Sequence, residues 1–216
     1  MTAKLFWEDP YLTQLDTRVA GVEGDDVTVE QTIFYAASGG QESDEGWIGT
    51  RRVVAAVNRG REIVYTLDSG DAFEPGARVR MAIDWGRRYR LMRLHSAAEI
   101  VLELMYRSLG PVEKIGAHIA PEKARIDFRW GENISGVLPA VRDEALRIIE
   151  SDREITSAFG DRAAEERYWE IGGFARVPCG GTHPRRTGEI GRLELKRQNI
   201  GKGKERVDIY VADDPA

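Results

Sequence analysis

The sequence predicts an α+β protein in two parts, and three observations predict it. Up to about Trp85 the chain is a series of short runs rich in β-branched and aromatic residues, bounded by Gly, Asp or Asn. At Trp85 the apolar spacing changes to that of a helix. Beyond Gly110–Pro111, strand-like and helix-like segments mix, as they do when helices cover a mostly antiparallel sheet.

In the first part, DDVTVEQTIFY, EGWIGTRRVVAAV, REIVYTLD and ARVRMAID are the strand candidates. Short strands at this spacing predict a small β-barrel-like domain over residues 1–86, with the boundary near Asp84–Arg87. In RRYRLMRLHSAAEIVLELMYRSLG, Leu91, Leu94, Ala98, Val101, Leu102 and Met105 form a helical stripe that Gly110–Pro111 ends. EKIGAHIA and KARIDFRW, separated by Pro-Glu, read as paired strands, and VLPAVRDEALRIIESDREI as a second helix. Strands return at FARVPC, TGEIGRLELKRQNI and ERVDIYVA, so residues 87–216 read as an α/β sandwich with an antiparallel sheet.

With 42% hydrophobic residues in 216, the chain can bury a sizeable core. No apolar run reaches the length that spans a bilayer, and the start, MTAKLFWEDP, lacks the apolar core of a signal peptide. The single cysteine excludes an internal disulfide and fits a cytoplasmic protein. A net charge of −5 argues at face value against a nucleic-acid partner, but the charge is uneven. RRYRLMR (87–93) holds four arginines and no acid, and Arg185 to Arg206 holds eight basic residues against three acidic. Such a patch can face a phosphate backbone, although from composition alone ordinary solvated charge is the commoner explanation.

The chemistry concentrates in RVPCGGTHPRRTGEIG (176–191), which holds the lone Cys179 and, four residues on, one of only three histidines, His183. Gly180 and Gly181 let the backbone bend so that thiol and imidazole can converge, with TGEIG read as the strand that anchors the turn. On the long helix His95 and Glu99 are four apart and share a face. One thiolate, two imidazoles and a carboxylate are all ligand types that zinc accepts. Spacing alone leaves a second reading open: a buried apolar thiol, a core histidine and a solvent-facing glutamate.

Four stretches, in order, resemble one family. CGGTH followed by TGEIG resembles the signature of the alanyl-tRNA synthetase editing domain and of the free-standing alanyl-tRNA editing proteins. TIFYAASGGQESDEG (32–46), DWGRRYRLMRLHSAAEIV (84–101) and NIGKGKERVDIYV (199–211) resemble three further segments of that family. The family helix carries a second His where this chain has Glu99, so that position is either a carboxylate ligand or an open one.

The resemblance implies the alanyl/threonyl-tRNA synthetase editing-domain fold and a trans-acting, zinc-dependent hydrolase of the ester in Ser-tRNA(Ala) or Gly-tRNA(Ala). No room is left for an aminoacylation domain. It implies zinc ligands His95, Cys179 and His183 with Glu99 as the fourth, Thr32 at the position that meets the serine hydroxyl, and Gln41 orienting the ester or the serine. Arg87, Arg88, Arg93, Arg185, Lys202 and Lys204 are the candidate tRNA contacts, and His118 falls outside every matched motif. The expected partner is tRNA(Ala) charged with serine or glycine, with no membrane and no obligate protein partner. Two other readings compete: a non-catalytic tRNA-binding module with a degraded zinc site, and a zinc hydrolase of another small ester.

Overall fold

The structure, a computed structural model, describes residues 2–70 and 72–212. It is α+β, with several sheets and, among the described residues, two α-helices. Two compact units make up the chain: residues up to Ser38 with Glu42–Tyr89, and Gly39–Gln41 with Arg90 onward.

The first unit holds β1 (Ala3–Lys4), β2 (Gln14–Glu23), β3 (Asp26–Val29), β4 (Gln31–Thr32), β5 (Gly46–Ile48), β6 (Arg51–Arg59), β7 (Glu62–Leu67) and β8 (Arg78–Ile83). Six of them pair in the order β2-β3-β7-β6-β5-β8, and β8 pairs back to β2, so the ring of pairings closes. Inward positions recur at period two, as with Val79, Met81 and Ile83, and they join Val19, Val27, Ile48, Ile63 and Tyr65 in one apolar core. β1 and β4 form a separate parallel pair.

Helix α1 (Trp85–Leu109) starts at Asp84, whose carboxylate accepts the Arg87 backbone N–H at 2.9 Å, and ends at Gly110, whose φ of 74° suits a helix C-terminus. From Arg90 on it belongs to the second unit. There follow β9 (Glu113–Ile119), β10 (Ala124–Arg129), α2 (Leu138–Glu150), β11 (Ile155–Asp161), β12 (Glu166–Ile171), β13 (Ala175–Pro178), β14 (Leu193–Asn199) and β15 (Lys204–Val211). An antiparallel sheet of order β14-β15-β10-β9 shares its core with both helices: Leu94, Val101 and Met105, then Ala145 and Ile148, meet Ile126, Phe128, Val207 and Ile209. A second antiparallel sheet runs β11-β12-β13.

Two local expectations are corrected. The second helix stops at Glu150, because Ile155 is already committed to β11 opposite Ile171. TGEIG is not a strand: Thr187–Ile190 is a turn of 3₁₀ helix. The buried Thr187 hydroxyl donates to the Ile148 carbonyl at the end of α2 (2.9 Å), and Glu189 Oε1 accepts the backbone N–H groups of Arg185 and Arg186. The turn is anchored to the end of α2 and, through the Ile155 N–H on the Arg185 carbonyl, to the start of β11.

Candidate metal centre

Residue spacing on α1 turns His95 and Ser96 inward, both buried, with Glu99 one turn further on at the rim of the same site. After β13, the Cys179–His183 segment folds back over them. It has to pass very close: a Cβ on Gly181 would lie inside van der Waals contact of His95 Cε1 and Nδ1 and 2.9 Å from Gln41 Oε1. Glycine at 181 is therefore a packing requirement of the His95 ring.

The third contributor is Gly39–Gln41, which belongs to this unit although its neighbours in sequence do not. Gly40 takes φ +93°, and its carbonyl accepts the Ile119 N–H at 2.7 Å, so the segment joins the free edge of β9. Gln41 is thereby buried beside His95, with its Oε1 2.7 Å from His95 Nδ1 and 3.2 Å from the Thr182 N–H. Its Nε2 donates to Thr182 Oγ1 at 2.9 Å.

The consequence is directional. Because Gln41 Oε1 can only accept, His95 Nδ1 carries a proton and Nε2 is the nitrogen that faces the thiol. On His183 the Ser96 hydroxyl sits 2.9 Å from Nδ1, again leaving Nε2. The two Nε2 atoms lie 3.5 and 3.2 Å from Cys179 Sγ, and the three ligand atoms fall within 4.8 Å of one another. Tetrahedral zinc with ordinary Zn–N and Zn–S bonds sets its ligands roughly 3.5 Å apart, so the trio fits such an ion. Ligand histidines held at their far nitrogen are the usual arrangement around a bound metal. Glu99 stands outside the trio but within 3.4 Å of His95 Nε2.

The charges agree with that fit. Burial opposes protonation of both imidazoles. On His95 the electrostatic and hydrogen-bond effects of Cys179 and then Glu99 more than offset burial, and its pKa rises to about 10. On His183 burial, reinforced by His95 and Arg167, holds the pKa well below the ordinary value. Burial works to raise Glu99, but its hydrogen bond to His95 brings the carboxyl down. A cation bound here replaces the proton that His95 otherwise shares with Cys179 and Glu99.

The remaining candidates separate clearly. Thr32 is fully buried in the first unit, where its hydroxyl accepts the Phe34 N–H (2.9 Å), shares a hydrogen bond with Tyr65 (2.6 Å) and reaches Met81 Sδ (3.3 Å). Arg88 and Arg93, read as tRNA contacts, are core residues. Arg88 is fully buried against Asp44 and the carbonyls of Pro10 and Ile33. Arg93 donates to the carbonyls of Ile190 and Ala212. Neither guanidinium can reach a phosphate without unfolding its own cage. Arg87 is held by Glu42 at 2.7 Å and by the Ser43 carbonyl. Arg185 and Lys202 are exposed, Lys204 is half-buried at the start of β15, and His118 lies on β9. Ser96 and Thr182 touch His183 and Gln41, and Gly181 packs against His95, contacts that spacing alone does not reveal. Each is a sequence neighbour of a ligand or two residues from one, and only the fold shows what it touches.

Comparison with known proteins identifies the family. The family described as the threonyl and alanyl tRNA synthetase second additional domain matches residues 167–208, the stretch that holds Cys179 and His183. An alanyl-tRNA editing protein AlaX-M of Pyrococcus horikoshii is 32% identical over 98% of this chain and 98% of its own length. One of Saccharolobus solfataricus is 35% identical over 98% of this chain and 99% of its own. The alanine–tRNA ligase of Ignicoccus hospitalis is 34% identical over 97% of this chain, which corresponds to 26% of the ligase.

Proposed function

This chain belongs to the alanyl-tRNA editing family, and from that premise we propose that it hydrolyses the ester of tRNA(Ala) mischarged with serine or glycine, using zinc. The observation that carries the reading is the convergence of His95 Nε2, Cys179 Sγ and His183 Nε2, with both far imidazole nitrogens already held. We take these three as the ligands and Glu99 as the fourth donor within reach. Bound zinc supplies Lewis acidity for an ester carbonyl or a water molecule.

The chain's own residues do the positioning. Gln41 fixes the His95 ring and tautomer, and Ser96 fixes His183. Gln41 Oε1 is committed to His95 and the Thr182 N–H, and that oxygen therefore acts through the ligand. Phosphate contact falls to Arg185, Lys202 and Lys204, whose side chains are not locked into the core. The logic of editing is asymmetric: a site built for alanine rejects an added hydroxyl only about 10²-fold, whereas a site that hydrogen-bonds the hydroxyl can reject its absence about 10⁴-fold or more. If Thr32 is that reader, the serine hydroxyl has to displace one of its three present partners. A single reduced thiol suits the cytoplasm as the working compartment, and among the described residues no helix is long and apolar enough to cross a membrane.

The test is deacylation of preformed Ser-tRNA(Ala) beside Ala-tRNA(Ala), with zinc content measured on the same samples. Expected are rapid loss of serine, sparing of alanine, and loss of both activity and zinc in Cys179→Ala. Zinc-replete protein that binds tRNA but hydrolyses neither substrate would instead make this a binding module.

A further inference from the structure

Cys179 also closes one end of a groove of about 770 Å³ on the β11-β12-β13 sheet, whose lining includes Gly160, Tyr168, Arg176, Pro178 and Gly180. Resting on the editing reading, we propose that this groove seats the terminal nucleoside of the tRNA 3′ end, its base stacked on the Arg176 guanidinium.

The platform is built on two paired strands. Tyr168 on β12 faces Pro178 on β13, and Arg176, two residues back, shares that strand face. The Arg176 guanidinium lies over the Tyr168 ring, 3.7 Å from its centroid. One flat face of the cation is thus covered by the phenol, while the side chain remains 58% exposed, which leaves the other face open. Bases of single-stranded ends stack on such guanidinium planes and on aromatic rings, and Arg does this where Lys cannot.

Distance and charge select a base rather than a phosphate. From Arg176 to Cys179 is three residues of extended chain, about 10 Å, the length of a nucleoside from its acylated ribose hydroxyl to the far edge of its base. The Cys179 N–H is fixed at 3.0 Å on the Arg167 carbonyl, so the spacing is rigid. The lining is electrically balanced, Glu165 and Glu166 against Arg167 and Arg176. A polyanionic backbone gains little there, whereas a neutral base gains the stacking surface. Nor does the fold need Arg176: its ion pair with Glu170 is long, at 3.7 Å, and exposed, the kind that contributes little to stability.

The probe is tRNA(Ala) carrying 2-aminopurine as its 3′-terminal base, added to zinc-loaded protein. Wild type should quench the fluorescence. Arg176→Ala should lose the quench and bind roughly tenfold more weakly, as expected for one lost stack. Arg176→Lys, which keeps the charge but not the plane, should behave like Arg176→Ala. In deacylation both variants should raise KM for Ser-tRNA(Ala) by a similar factor with kcat retained. The salt dependence of binding should be unchanged, because no phosphate contact is lost. Wild-type-like quenching or KM in Arg176→Lys would overturn the proposal while leaving the editing reading intact. A wild type that neither deacylates nor quenches would overturn the editing reading, and this proposal with it. Unchanged melting temperatures would show that both variants fold.

Discussion

Two buried polar clusters depend on helix α1, and they are built in opposite senses. In the first unit Arg88 donates to Asp44, Pro10 and Ile33, and Asp44 also accepts the Tyr35 N–H at 2.6 Å. Four of the five Arg88 N–H directions end on a protein oxygen. In the second unit Gln41 and Ser96 hold only the outer nitrogens of His95 and His183, and the inner donors face one another across the space of one ion. Both clusters are built on buried polar side chains. What separates a structural bolt from a binding site is where the unspent donor capacity points.

The sharpest way to break this comparison is to push on the open cluster from inside. Gly181→Ala drives a methyl group into the His95 ring and should abolish stoichiometric zinc, a loss beyond the roughly 100-fold typical of outer-shell changes. Chelator competition measures it, and retained zinc would mean that the trio is not the ligand set. The closed cluster should respond in stability instead. Asp44→Asn leaves the Arg88 charge buried and uncompensated, at a cost of about 3–5 kcal/mol. A urea midpoint shift of that size is expected, and Arg88→Met with Asp44→Leu should recover much of it. If Asp44→Asn instead weakened zinc binding without lowering stability, the two clusters would not differ in kind.

The same contrast explains what could be read in advance. Helix α1, the hairpin β9–β10 and strands β14 and β15 follow from apolar period and turn residues, which are local signals. Strands β2, β11 and β12 do not, because QLDTRVAGVE, ITSAFGD and ERYWEI are polar on one face and become strands through their partners. Cys179 and His183 are legible from their glycine turn, and His95 from its place on a helical face. Gln41 is legible as a residue but not in its role, since only the pairing of Gly39–Gln41 with β9 shows that it holds His95. Arg88 and Arg93 failed for the matching reason. A basic run on a helix looks alike whether its guanidinium groups meet water or carbonyls, and burial is not a property of four consecutive letters.

A smaller effect sharpens the account of the open cluster. Removing an outer hydrogen bond while leaving all three ligands should weaken zinc by about 10–100-fold. Gln41→Ala belongs at the upper end, because its amide holds both the His95 ring and the Thr182 backbone; Ser96→Ala, with its single contact, belongs at the lower. Equal losses, or none, would show that the histidines are positioned by packing alone.

The mildest test concerns closed clusters that can titrate. Burial works to raise the Asp127 carboxyl, but Arg206 and Arg125 more than reverse it; the Arg197 hydrogen bond lowers Glu205 against a smaller effect of burial. Both folded values therefore lie below the unfolded ones, at about 3.9 for Asp and 4.3 for Glu. The pairs contribute fully above those values, and the contribution disappears as pH falls through the folded ones, since the unfolded chain then binds protons first. Zinc-free protein should accordingly lose melting temperature below about pH 4, and Asp127→Asn with Glu205→Gln should start lower and lose less over the same interval. Parallel melting curves for the two proteins would mean that these ion pairs, although satisfied in geometry, add nothing beyond what solvent would supply. Satisfaction would then mark only the absence of a site and not a source of stability, which is the distinction that the Arg88 cluster, fully buried, is expected to escape.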